Sequence, residues 1–147
     1  MKRLLTLTLM CVLATVWVSQ PAAAAEKLVR VVPKGINFGT VPVGTEVLKG
    51  ATITNVSGSD VLLLVEGTRM PDDFGFGLLR GSTCPALTPG VLPAGASCDV
   101  VVRFTPTEFF AGQRQTAELT ATLRDPTTGA LLSTISIPVV GRGVSTP

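Results

Sequence analysis

Apolar and polar residues alternate along most of this chain with a period of two. Cys98, Val100, Val102 and Phe104 fall on one side of a run whose other side holds Asp99, Val101 and Arg103. Ala117, Leu119, Ala121 and Leu123 alternate in the same way with Thr116, Glu118, Thr120, Thr122 and Arg124. Ala51 and Ile53 alternate with Thr52 and Thr54, and Ile135, Ile137 and Val139 close the series. Successive side chains of a strand point to opposite faces, so each run reads as a strand with one buried side. Shorter strand signals lie at 36–41 and 74–78, the latter with Phe74 and Phe76 on one side and glycines on the other. Pro/Gly-rich turns divide the runs, and Asp125-Pro126-Thr127-Thr128-Gly129 reads as a hairpin. Pro42 and Pro138 lack an amide donor, which places their segments at a sheet edge or a bulge. About seven short strands without helical periodicity predict an all-β, antiparallel two-sheet sandwich.

Some stretches depart from simple alternation. Residues 26–35 hold the apolar run Leu28-Val29-Arg30-Val31-Val32, an edge strand or an N-terminal arm. Val61-Leu62-Leu63-Leu64-Val65 is apolar on both faces. Either both sides are buried, the N-terminal arm covering the outer one, or Val61, Leu63 and Val65 form an exposed stripe that serves as an interface. Burial is the favoured reading. Asn55-Val56-Ser57 fits a glycosylation sequon, but as a turn opener it needs no such role. Asp72-Asp73 is a paired carboxylate, read as part of a solvated loop because no further acid stands at calcium-binding spacing.

The first residues change the compartment and the charge. Lys2 and Arg3 precede an apolar run, 4–18, and then Ala22-Ala23-Ala24-Ala25, the pattern of a cleaved secretory signal peptide over residues 1–25. That run is shorter than the ~20 residues of a spanning helix, and no later stretch approaches that length. Without Lys2 and Arg3, the lysines and arginines equal the 10 acidic residues, so the mature chain is formally neutral. Its composition therefore points away from nucleic acid and anionic membrane as partners.

Candidate chemistry is sparse. The chain has no His and no Tyr, and its single Trp lies in the signal segment. Imidazole-based nucleophile pairs, general bases and His-containing metal sites are thereby excluded. No catalytic, cofactor or metal site is expected, and no small-molecule substrate. Cys84 and Cys98 remain as an even pair in an exported chain, for which a disulfide is the default reading. A metal-thiolate pair is the competing reading and lacks two further ligands.

Several pieces fall into one familiar order: Ile36-Asn37-Phe38-Gly39-Thr40-Val41-Pro42-Val43-Gly44, Ala51-Thr52-Ile53-Thr54-Asn55, Leu92-Pro93-Ala94-Gly95-Ala96-Ser97-Cys98, Val102-Arg103-Phe104-Thr105-Pro106-Thr107 and Val140-Gly141-Arg142-Gly143. With them the chain resembles the immunoglobulin-like domains of the abnormal-spindle/Hydin (ASH) group, and most of all their bacterial secreted versions, the choice-of-anchor D domains. The resemblance covers residues 36–143 and leaves 144–147 as a tail. It implies an immunoglobulin-like sandwich, the Cys84–Cys98 bond, and a non-catalytic structural or protein-interaction module of the cell envelope or surface. Members often occur as repeats in large surface proteins, whereas this chain shows one copy and no C-terminal anchor. Its 61–65 strand is also more apolar than is usual for the group. The expected protein is exported, periplasmic or extracellular, and binds a protein partner or itself. A periplasmic pilus-type chaperone or assembly factor, working through an exposed edge strand, is the alternative.

Overall fold

The computed structural model describes residues 27–76 and 79–147; the signal-peptide assignment lies outside the described residues. Among the described residues, nine strands form two facing sheets. In chain order they are β1 (Val29–Val32), β2 (Ile36–Pro42), β3 (Val47–Asn55), β4 (Val61–Thr68), β5 (Phe74–Phe76), β6 (Gly90–Leu92), β7 (Ser97–Phe104), β8 (Arg114–Arg124) and β9 (Leu131–Val144). One sheet has the order β1-β3-β7-β5 and the other β2-β9-β8-β4-β6. All pairings are antiparallel except β2 with β9, which run parallel. The all-β sandwich expected from the alternation is present, with more strands than the seven anticipated.

The additional pairing comes from β6, in a Pro/Gly-rich segment that reads as a turn. Its three residues join the edge of β4 with Val61 opposite Leu92. The N-terminal segment is a true strand: β1 pairs with β3 from Val29↔Asn55 to Val32↔Thr52. After β1 the chain crosses to the other sheet, where β2 forms the edge. Pro42 therefore sits on an edge strand, as its missing amide requires.

Alternation set the core. Val100, Val102 and Phe104 from β7 face Leu119, Ala121 and Leu123 from β8, all at 0% exposure, with Ile53 and Ile137 alongside. Phe38, Phe74 and Phe104 meet at one end, with ring centroids 4.6–6.0 Å apart. β9 continues through Gly141 and Gly143 because both lie under bulky neighbours. A Cβ on Gly141 would come 2.6 Å from Phe104 Cε1, and one on Gly143 would come 2.5 Å from Pro106 Cβ. These glycines are sites of close approach, not a strand end.

Cys84 and Cys98 are joined by a disulfide, and both are buried. The bond ties the 79–85 loop to the start of β7. Backbone bonds hold the same place: the amides of Thr83 and Cys84 both donate to Asp99 O, and Asp99 N donates to Thr83 Oγ1. A loop of this length contributes on the order of 3 kcal/mol by restricting the unfolded chain. The Cys84→Ser/Cys98→Ser variant should therefore melt about 10 °C below the parent. A thermal scan by circular dichroism checks this, and an unchanged midpoint would remove the bond from the stabilising set.

Candidate interaction surfaces

The residues singled out from sequence fall in different places. Val61, Leu63 and Val65 are 0–1% exposed and belong to the core, so they form no exposed face. The cause is topology, since β4 lies between β6 and β8 and turns these three side chains toward the opposite sheet. The outward pair is Leu62 and Leu64, both half-buried. The N-terminal arm does not cover them, because β1 belongs to the other sheet.

Asn55 opens the turn as expected, but its side chain is fully buried. Its Nδ2 donates to Ser59 O at 2.7 Å and Leu92 O at 2.9 Å. Its Oδ1 accepts from Ser57 N and Ser57 Oγ at 3.0 and 2.8 Å. A glycan on Nδ2 would displace that buried network, which rules out the sequon as a modification site of the folded chain.

Asp73 is not part of a solvated loop either; it is 2% exposed. Its Oδ2 accepts from Gln115 Nε2 and from the Thr107 amide, linking the β4–β5 loop to β8. Asp73 Oδ1, Gln115 Oε1 and Thr105 Oγ1 are buried without protein partners. Among the described residues no three His, Cys, Asp or Glu side chains gather as a metal cluster. On the surface, the Asp125 carboxyl is held below its usual range chiefly by the Thr128 amide, then by that of Thr127, and closes the β8–β9 hairpin.

The sheet edge offers the more open surface. β9 has 14 residues and β2 only 7, and their pairing begins at Ile36↔Val139. Residues 131–138 thus have β8 on one side and no strand on the other among the described residues. The direction of the backbone groups follows from the far end of the strand. Val144 O accepts from Val43 on the β2 side, and Gly143 O accepts from Gly112 on the β8 side. Alternation carries this back along β9, so Ser136 and Thr134 turn their N–H and C=O groups to the open side. Pro138 shares that side, where its lack of an amide costs β8 nothing.

Beside this edge lies a groove of about 620 Å³ between the two sheets, lined by Leu28, Val29, Val31 and Ile135 with Ser133 and Ser136. Lys27 and Lys34, both exposed, stand before and after β1 along it. Pro138 already placed this segment at an edge or a bulge in the sequence. That the open stretch runs over 131–138 follows only from the lengths and register of β2 and β9.

No protein-family model matches the chain, and no curated protein matches it in sequence. Solved structures do. The ASH/PapD-like domain of human CEP192 (PapD-like domain 7) aligns with a TM-score of 0.62 at 14% identity, covering 97% of this chain and 99% of that one. The fold is that of an ASH/PapD-like domain. A protein of unknown function from Porphyromonas gingivalis W83 aligns with a TM-score of 0.61 at 16% identity, over 81% of this chain and 49% of that one. The complex of the Salmonella enterica SafA pilin with the SafB chaperone contributes a chain with a TM-score of 0.55 at 10% identity, over 78% of this chain and 54% of that one. The ASH/PapD-like sandwich thus recurs in this chain at identities where only the fold is shared. No helix among the described residues is long and apolar enough to cross a membrane.

Proposed function

We propose that this chain is an exported, non-catalytic protein-interaction module whose open β9 edge takes up an extended segment of a partner protein. The observation that carries the reading is the unpaired stretch 131–138 beside an apolar groove. Strand addition supplies main-chain hydrogen bonds without special side chains, and the groove would receive every second side chain of the added segment. The secretory pattern of residues 1–25 and the Cys84–Cys98 bond support export. The sparse chemical inventory supports a binding role over catalysis.

The motifs at 36–44, 92–98 and 140–143 support a kinship with the secreted ASH domains of choice-of-anchor D type. A pilus-type chaperone or assembly factor is the second reading, favoured by the fold shared with a chain of the SafA–SafB complex. The present chain spans about half the length of that one.

Thr134→Pro with Ser136→Pro removes two outward amides while leaving the β8 ladder intact. The double variant should keep the parent's circular dichroism spectrum. It should also lose crosslinking to the protein that the tagged mature chain captures from its native envelope. Amide exchange at Thr134 and Ser136 should be fast in the free chain and slow in the complex. Undiminished capture by a folded double variant would place the interface elsewhere.

A further inference from the structure

Away from that edge, the outer face of the five-stranded sheet carries three arginines around one trough. Arg114 on β8 lies directly opposite Arg142 on β9. Like charges directly opposite on one sheet face repel and destabilise the pairing. Neither arginine is relieved by an ion pair: among the described residues the salt bridge is Arg103 with Glu46, on the other sheet. Two depressions, of about 470 and 320 Å³, adjoin at Asn37, Arg114 and Val140 and make up a shallow trough across β2, β9 and β8, in which Arg69 and Glu118 line only the larger part and Arg142 only the smaller.

Arg69, just past β4, lines the same trough. Its φ of 50° makes it the only non-glycine residue in the left-handed region among the described residues. Such a conformation is unfavourable for a side chain of this size, and strain of this kind concentrates at ligand-binding positions. Asn37 accepts the Gly39 amide on Oδ1 at 2.8 Å, which leaves its NH₂ as a donor. Glu118 also lines the trough, four residues along β8 from Arg114, or about 13 Å at strand rise. The end at Arg114, Arg142 and Asn37 is therefore rich in donors, while Arg69 stands at the other end beside the Glu118 carboxylate, since Thr68 pairs with Glu118.

We propose that Arg114, Arg142 and Asn37 form a binding site for a phosphate-type oxyanion. A single guanidinium fork already satisfies the two oxygens of a carboxylate. Two forks on neighbouring strands and an amide suit a tetrahedral anion, whose oxygens can accept from all three. Binding would offset the Arg114–Arg142 repulsion, so the cost built into the free sheet is recovered in the complex. The site stands on a sheet face and is independent of strand addition at β9.

Titration of the mature chain with inorganic phosphate at constant ionic strength, followed by backbone NMR shifts, provides the first test. Vesicles of phosphatidylglycerol, with phosphatidylcholine as control, provide a second arm that separates a lipid headgroup from the free anion. Saturable phosphate shifts at Asn37, Arg114 and Arg142, or vesicle binding that phosphate displaces, supports the site. In Arg114→Gln/Arg142→Gln that affinity should fall by about tenfold or more. The melting temperature of this variant should not fall, because a repulsion has been removed. Lack of binding to either probe, or equal binding by the double variant, overturns the proposal.

Discussion

Leu63→Ala is expected to cost about 3–4 kcal/mol of folding stability, while Leu64→Ala, one residue on, costs about 1 kcal/mol. The contrast follows from strand parity. Leu63 is wholly buried between the sheets, opposite Leu123 on β8 and Gly90 on β6. Truncating it removes three carbons from a closed core and leaves a cavity that the rigid ladders on both sides cannot collapse to fill. Leu64 stands on the outer face opposite Thr122, half-exposed, where water replaces what is lost. Urea unfolding monitored by circular dichroism measures both differences. Equal costs at the two positions would mean that β4 does not present its faces as described. The same parity bears on function: substitutions at Leu63 or Val65 probe folding, so a partner lost in such variants says nothing about where the partner binds.

This strand also shows where sequence pattern stops being informative. In β7 and β8, polar residues at nearly every second position, with Val101 the exception in β7, orient the strand without reference to its neighbours. In residues 61–65 both faces are apolar, so parity is degenerate and only the position of β4 within its sheet decides which face is inside. Asp73 failed for a related reason. Its burial depends on Gln115, 42 residues away, which contributes the amide that makes a buried carboxylate tolerable. The general sandwich, the cysteine pair and an edge or bulge at Pro138 were legible because each rests on local pattern. The extent of the open β9 edge, the continuation of β9 through Gly141 and Gly143 and the opposed arginines were not, because they arise from strand order, packing and register. Arg114 and Arg142 are 28 residues apart in the chain and become neighbours only when β8 pairs with β9.

Asn55→Ala is expected to destabilise the domain by about 4 kcal/mol, more than a surface turn residue could. The side chain occupies the junction of three segments: the end of β3, the 55–60 turn and the turn after β6. Both of its donors and its acceptor oxygen are engaged, by Ser59 O, Leu92 O and both the amide and hydroxyl of Ser57. Its own backbone joins the same knot, donating to Ala96 O at 2.9 Å and accepting from Gly95 N at 3.0 Å. Alanine leaves the Ser59 and Leu92 carbonyls without their partner, and each such loss costs about 1–3 kcal/mol. Asn55→Asp separates donors from acceptors. It preserves the oxygen that Ser57 uses but sets a carboxylate against two carbonyl oxygens, so it should be at least as damaging as alanine at neutral pH. Ser57→Ala removes only a hydroxyl at the rim and should cost about 1 kcal/mol. Chemical denaturation of the three variants tests this order. A mild Asn55→Ala would mean that the two turns are held by their backbone bonds alone. A severe one would identify this buried amide as the residue that couples the sheets' connecting turns, a role that its place in a turn-forming Asn-Val-Ser triplet conceals.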